Sequence, residues 1–369
     1  MSRHRILTGI DLPLEPSCGS TIWCNDTYPR LSDRFHTTFA ALPGSGTWKH
    51  RFEETVPLAS QKAPYGPGFE RYADSLTSEV AQLLTRAEPD LIHAQHLGFG
   101  LALAFARAAG AIPLISIAHG TDIIVATEIG QARTVLHEIV AASTAVAVPN
   151  QAMADQVNTL TGNLYADRLV TVPWGIPLPA APTTEPTTGS VLRLLHAGRL
   201  DDNKSTITAI DALAATREPH HLTVIGSGPE LPALQARVQH HGLAHRVTFE
   251  PFAPRADLWA RFRAFDAFVF TTRTLEAYGL VAIEAQAHGL PILYSDVPGL
   301  GATLGHGGLS YPPGDSHALA AVIDCVAANP HLRPILRQSA ADNSRQHDIA
   351  ATADRLGALS DTVIGATRA

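Results

Sequence analysis

Residues Thr271–Leu293 read TTRTLEAYGLVAIEAQAHGLPIL and follow directly on the apolar run Ala267–Phe270. A short apolar run of this kind fits a buried strand. The Ala-, Leu- and Glu-rich stretch behind it fits a helix over Tyr278–His288, entered through a turn at Gly279. A second apolar run, Pro291–Tyr294, follows at once. Strand, glycine turn, helix and strand is the pattern of a parallel sheet with crossover helices. Glu276 and Glu284 stand eight positions apart in this stretch. That is a little over two helical turns, or about 12 Å if both are helical. The separation suits two ends of one extended ligand, with one carboxylate near a phosphate or sugar and the other at a ribose. An amphipathic helix with two surface glutamates has the same spacing, so the flanking residues must decide between the two readings.

Working outward, the same alternation fills the chain. Strands are expected at Arg5–Gly9, Phe35–Leu42, Asp90–Ala94, Pro113–Ala118, Ala145–Val148 and Leu169–Val172, with helices near Phe69–Arg86, Gly98–Ala109, Ala132–Ala142 and Met153–Leu160. After the Pro/Thr-rich stretch PLPAAPTTEPTTGS (177–190) the pattern restarts. Strands are expected at Val191–Ala197, Leu222–Ile225, Val247–Phe249 and Ala267–Thr271, and helices at Ser205–Thr216, Glu230–His241, Asp257–Phe265 and His317–Asn329. The tail Leu332–Thr367 reads as helical. The expected organisation is α/β: a Rossmann-like domain over 1–176, a linker over 177–190, a second Rossmann-like domain over 191–345, and a closing helix over 346–369 that returns to the first domain. Open sheets of this type bind ligands beyond the carboxyl ends of their strands.

Composition narrows the function. The chain has 369 residues, 45% hydrophobic and 17% charged, with a formal net charge of −7. That balance is ordinary for a globular protein and lacks the basic footprint of a nucleic-acid binder. No run of eighteen apolar residues occurs, so no transmembrane helix is expected. MSRHRILTGIDLPLEP reads as a first strand, because Asp11 and Glu15 interrupt it, and not as a signal peptide. Three cysteines without a C-x-x-C pair imply no disulfide framework and a reducing, cytoplasmic setting.

The residues with chemical potential sit at strand–helix junctions. In HAGRLDDNKS (196–205), Arg199 and Lys204 can neutralise a diphosphate and the charge that develops as it leaves. In GSGPE (226–230), Gly226 and Gly228 allow close backbone approach to a ligand, and Pro229 suits a first helical turn. Ala277-Tyr278-Gly279-Leu280 presents backbone N–H groups at a helix start, an anion site by construction, with Glu276 beside it. In the first half, Gly19 and Ser20 of PSCGS (16–20) can approach a phosphate, and His119 of IAHGTD (117–122) can bind a hydroxyl or move a proton at a strand end. Asp201-Asp202 reads as loop structure, and no zinc spacing, P-loop or G-x-S-x-G elbow occurs.

Taken in order, HAGRLDDNKS, VIGSGPE, FAPRADLWARFRAFDAFVFTT, LEAYGLVAIEAQAHGLPIL and GGLSYPPGD resemble family 4 of the retaining glycosyltransferases. PDLIHAQH, IAHGTD and VPWGI match more loosely, and the likeness runs roughly over residues 90–330. It implies the GT-B fold, two Rossmann-like domains facing each other across a cleft. It also implies transfer of a sugar from a nucleotide-diphosphate donor with retention, by front-face displacement and without a metal or other cofactor. By similarity Arg199 and Lys204 hold the diphosphate, Glu276 and Ala277–Leu280 contact the donor sugar and phosphate, Glu284 binds the ribose, and His119 lies near sugar and acceptor. The chain departs from the family pattern at CGS, where a glycine pair is usual, at Ser205 for glycine, at Trp174 for asparagine, and at Asn150 for serine.

The acceptor is expected on the first domain. That region has no basic amphipathic helix, which favours a small soluble acceptor such as an amino sugar. A natural-product or antibiotic pathway is the setting expected from the Ala/Arg/Pro-rich composition. The alternatives are a phosphoribosyl-type transfer from phosphoribosyl diphosphate, a lipid or cell-envelope acceptor, and a non-catalytic nucleotide-sugar sensor.

Overall fold

The computed structural model describes residues 3–16, 18–46, 48–180 and 189–368. The chain divides into two units, one made of the residues up to Gly175 together with those from Ile349 onward, the other of Ile176–Asp348. Of the expected linker 177–190, residues 181–188 lie outside the described residues.

In the first unit the described residues form a seven-stranded parallel sheet: β1 (His4–Pro13), β2 (Phe35–Leu42), β3 (Glu54–Pro57), β4 (Leu91–Gln95), β5 (Leu114–Ile117), β6 (Ala145–Val148) and β7 (Leu169–Thr171), in the order 3-2-1-4-5-6-7. The order reverses at β1, which pairs with both β2 and β4. The crossovers are α1 (Gly19–Thr27), α2 (Phe69–Ala87), α3 (Gly100–Ala108), α4 (Thr121–Glu128), α5 (Gly130–Ala142) and α6 (Gln151–Leu160). Sequence sets these faces directly. In α2 the buried residues Phe69, Tyr72, Ala73, Leu76, Val80 and Leu83 recur at three- and four-residue spacing, one stripe of a helix. Asn150 begins α6 by accepting the Met153 N–H at 2.9 Å, which is the ordinary capping use of asparagine.

In the second unit the order is 10-9-8-11-12-13. Its strands are β8 (Arg193–Ala197), β9 (His221–Ile225), β10 (Val247–Glu250), β11 (Ala267–Phe270), β12 (Ile292–Ser295) and β13 (Gly308–Tyr311). The helices are α7 (Thr206–Ala215), α8 (Leu231–His240), α9 (Arg255–Phe262), α10 (Leu280–Ala287), α11 (Leu300–Leu304), α12 (Ser316–Ala328) and α13 (Leu332–Ser344). The reversal falls between β8 and β11, so the loops that leave those two strands lie side by side at the crevice where such sheets bind ligands.

Two expectations are corrected. The helix expected over Tyr278–His288 begins only at Leu280, because Gly279 takes φ 71° and Glu276 lies in the preceding loop. The tail expected as one helix is two. α13 gives way to a 3₁₀ turn at Arg345–His347, and a closing helix, Ile349–Arg368, packs on the first unit. The interruption is tertiary: the buried His347 ring accepts from the Tyr278 hydroxyl (2.8 Å) and donates to the Thr303 carbonyl (2.9 Å).

The closing helix is fixed by a buried hydrogen-bond series. The Ser360 hydroxyl donates to Leu356 O at 2.7 Å, so its oxygen is free to accept from His93 Nε2 at 3.1 Å. His93 Nδ1 then accepts from the Tyr28 hydroxyl at 3.0 Å. Burial pushes the His93 pKa down to about 3. In the second unit the buried His196 bridges Val269 O and Thr206 Oγ1, each at 3.0 Å, and burial pushes it down to about 4. Both folded-state values lie below the unfolded value of about 6.5, so the unfolded chain takes up protons first as pH falls. Their stabilisation is complete above the unfolded value and is lost towards the folded ones, at about 1.4 kcal/mol per pH unit for each histidine. Urea titrations at pH 7.5 and 5.5 are predicted to show a clear loss of stability at the lower pH. His93→Gln should flatten that dependence.

Candidate functional site

The loop behind β8 is held between two others. On one side it runs along the turn behind β9: Gly198 N–H donates to Ile225 O (3.1 Å), Leu200 N–H to Ser227 O (2.9 Å) and Glu230 N–H to Leu200 O (3.1 Å). A Cβ at Gly226 would collide with Gly198 O, and one at Gly228 with Leu200 O. The contact between loops therefore requires glycine at both positions.

On the other side the loop joins the one behind β11. Arg273 N–H donates to Asn203 O (2.9 Å), the Thr274 hydroxyl to Asn203 Oδ1 (2.9 Å), Asn203 Nδ2 to Leu275 O (3.3 Å) and the Thr271 hydroxyl to Lys204 O (2.5 Å). Ser205, just before α7, takes φ 45° and pairs its hydroxyl with Thr208 at 2.9 Å. A left-handed serine is strained.

These contacts bring Lys204 and Glu276 together. Lys204 Nζ donates to Glu276 Oε2, both side chains are largely buried (18% and 14% exposed), and Nζ lies 5.3 Å from the centre of the Phe270 ring. The same ring edge stands 3.4 Å from where a Cβ on Gly279 would be. The lysine and the start of α10 thus border the same ring, and Gly279, which begins the helix, has no side chain to cap it. Uncapped N–H groups and a cation at one place form an anion site. Lysine carries three donors, and the glutamate uses one. Arg199 is apart from this group: its side chain is 64% exposed and pairs with Asp201 at 3.2 Å. Asp201 also accepts Lys204 N–H at 3.0 Å, which is a loop-shaping role. Among the described residues no cluster of His, Cys, Asp and Glu could hold a metal ion.

Of the segment Ala277–Leu280, Tyr278 faces inward to His347. Glu284 is buried in α10, and its carboxylate is already held: Oε1 by Arg255 at 2.7 Å and Oε2 by Trp259 Nε1 at 3.0 Å. Arg255 also stacks on the Trp259 ring at 4.7 Å. The sequence reading missed both partners, although four-residue spacing places them on one face of α9.

In the first unit, Gly19 and Ser20 open α1, with no side-chain cap among the described residues and no atom within 4 Å of where a Cβ on Gly19 would be. His119 stands just beyond the end of β5, as expected, but is buried, and burial pushes its pKa down to about 3, so it carries no charge near neutral pH. Its neighbour Asp122, three residues on at the start of α4, accepts Leu97 N–H at 2.6 Å and His119 N–H at 3.2 Å and so ties two strand ends together.

Residues 21–175 match the glycosyl transferase 4-like domain, and residues 186–347 match the glycosyl transferases group 1. A D-inositol 3-phosphate glycosyltransferase from Jonesia denitrificans is 35% identical over 165 residues, 42% of this chain and 39% of the relative. The chain thus spans well under half the length of that relative. Sucrose-phosphate synthase from Thermosynechococcus elongatus superposes with a TM-score of 0.85 at 19% identity, covering 99% of this chain and all of the other. HepE from Anabaena, solved with UDP-glucose, superposes with a TM-score of 0.79 at 20% identity, covering 97% and 99%. The fold is GT-B, with two Rossmann-like domains.

Stability should respond very differently at two charged positions. Glu284→Ala strands a largely buried Arg255 and is predicted to cost about 3 kcal/mol. Arg199→Ala removes an exposed pair and should stay within about 0.5 kcal/mol of the parent. Urea unfolding of both variants measures the contrast, and equal effects would contradict the assigned burial.

Proposed function

We propose, on the premise that the chain is built from the two domains of a GT-B glycosyltransferase, that it moves a sugar from a nucleoside-diphosphate sugar to a small acceptor with retention and without a metal. The observation that carries this reading is the pairing of Lys204 with Glu276 beside the uncapped start of α10. Lys204 offers its two remaining N–H donors to the diphosphate, and the first-turn N–H groups of α10 face the same charge. Both act on negative charge that grows as the phosphate leaves, the interaction that speeds a reaction most. Glu276 holds the ammonium in place and accepts from hydroxyls of the donor sugar. The departing phosphate oxygen takes the acceptor's proton on the same face, so no protein nucleophile is needed.

Glu284 is the ribose contact in this reading. Each carboxylate oxygen has a second lone pair, so the clamp by Arg255 and Trp259 orients the group without exhausting it. Arg199 supplies a further, mobile cation for the diphosphate. In the second unit the 226–228 turn offers backbone to the phosphates; in the first, taken by itself, the start of α1 at Gly19 and Ser20 offers N–H groups to an anion, and neutral His119 accepts from a hydroxyl. HepE, solved with UDP-glucose, supports a nucleotide-sugar donor. No helix of the described residues is long and apolar enough to cross a membrane.

Lys204→Ala is predicted to lower sugar transfer by about 10²–10³-fold and, because it strands the largely buried Glu276, to lower the unfolding midpoint as well, so transfer is assayed well below that midpoint. A thermal-shift panel of UDP, GDP, dTDP and phosphoribosyl diphosphate identifies the donor class. Stabilisation by a nucleoside diphosphate is expected, and stabilisation by none of the four would contradict the proposed function.

A further inference from the structure

The start of α10 is entered through a glycine. Gly279 takes φ 71°, and glycine has the widest choice of backbone conformation. The N–H groups of Ala282 and Ile283 return to Gly279 O at 2.9 and 3.1 Å, so the first helical turn follows wherever Gly279 turns. Side chains outside the anion site fix this corner. Tyr278 is buried. Its hydroxyl donates to His347 Nδ1 at 2.8 Å, and the two rings meet edge-on at 5.4 Å. His347 Nε2 donates to Thr303 O at 2.9 Å, and its own carbonyl accepts Ile176 N–H at 2.8 Å. Burial pushes the His347 pKa below its ordinary value, so Nδ1 can accept from the tyrosine at neutral pH.

The far end of α10 is tied to the same place. Gln286 is fully buried, donates to Leu304 O at 2.8 Å and accepts from Asn343 Nδ2 at 2.8 Å. Asn343 Nδ2 also donates to Thr303 O at 2.9 Å. One carbonyl in α11 therefore receives a line of hydrogen bonds from each end of α10. A carbonyl has two lone pairs and an amide nitrogen two hydrogens, so all these bonds form together. The surroundings are close-packed: a Cβ at Gly305 would stand 2.6 Å from Asn343 Oδ1, and one at Gly307 2.5 Å from Gln286 Nε2.

We propose that Tyr278 and His347 are positioning residues that aim the first-turn N–H groups of α10, with Gln286 and Asn343 holding the other end of the helix. The inference deepens the proposed function and rests on it for the reaction served. Two fixed points define a helix axis, whereas one lets it pivot. Hydrogen bonds weaken steeply as they lose alignment. A pivot about the Gln286 end therefore costs most at the N–H groups that meet the growing charge. A tie that only stabilised the fold would lower the unfolding midpoint and leave turnover of the folded enzyme alone.

The test uses Tyr278→Phe, which removes only the hydroxyl, together with His347→Leu and the double variant, all in the full chain. Release of nucleoside diphosphate from UDP-, GDP- and dTDP-glucose is followed well below the unfolding midpoint, with glucose and myo-inositol offered as acceptors. Tyr278→Phe should lower kcat about tenfold and leave the donor KM within about twofold. Because the pair acts as a unit, the double variant should lose about as much as the worse single one. Amide exchange at Ala282 and Ile283 should quicken about tenfold in Tyr278→Phe, with α12 unchanged. An unchanged kcat, losses that multiply in the double variant, unchanged exchange at α10, or an equal rise in exchange across the whole unit would overturn the positioning role. Absence of any release by the parent, with no stabilisation by UDP, GDP or dTDP, would count against the proposed function instead, and the exchange result would then decide the positioning by itself.

Discussion

Everything in the second unit's site depends on one loop, residues 198–205, held by backbone hydrogen bonds between its two neighbours. Glycine at 226 and 228 lets the turn behind β9 come close enough to bond with it. Asn203 then ties it to the loop behind β11, and the pairing of Lys204 with Glu276 follows from that tie. A long flexible lysine loses entropy when it is held. Here the cost is offset by the Phe270 ring beneath the ammonium and by the carboxylate beside it. The result is a cation placed in advance, which in the proposed reaction needs no reorganisation when charge develops.

The first unit uses the opposite electrostatics. His93, His96 and His119 are buried and uncharged. Hydrogen bonds run from Ser360 of the closing helix through His93, Tyr28 and Gln95 to His119. Each member fixes the donor or acceptor role of the next, so the tautomer at His119 is set by a helix more than 200 residues later in the chain. The closing helix thus does more than cover apolar surface: it helps decide which face of an imidazole is offered at the strand ends.

Elements whose pattern is local were legible in the sequence. β2 and β6 were read to the residue because both consist mostly of β-branched, aromatic and small apolar residues. β3 was missed because ETVP is mostly exposed and carries a proline at its end, the marks of an edge strand. The short α4, α11 and β13 gave too little periodicity to read. The break at 345–348 has no glycine or proline and follows from His347 meeting Tyr278 and Thr303, residues distant in sequence. Within the site, Lys204, Glu276 and the glycine-entered helix were named from their junction positions. The grip on Glu284 by Arg255 and Trp259, the burial of His119 and the lines from Thr303 to both ends of α10 come from residues brought together only by folding.

The most direct measurement of the central claim is NMR observation of the anomeric proton in the product formed from a panel of α-linked nucleoside-diphosphate sugars. The account predicts a product that keeps the α configuration, at a rate that collapses when Lys204 is replaced. A β-configured product, or transfer that proceeds undiminished without Lys204, would contradict it.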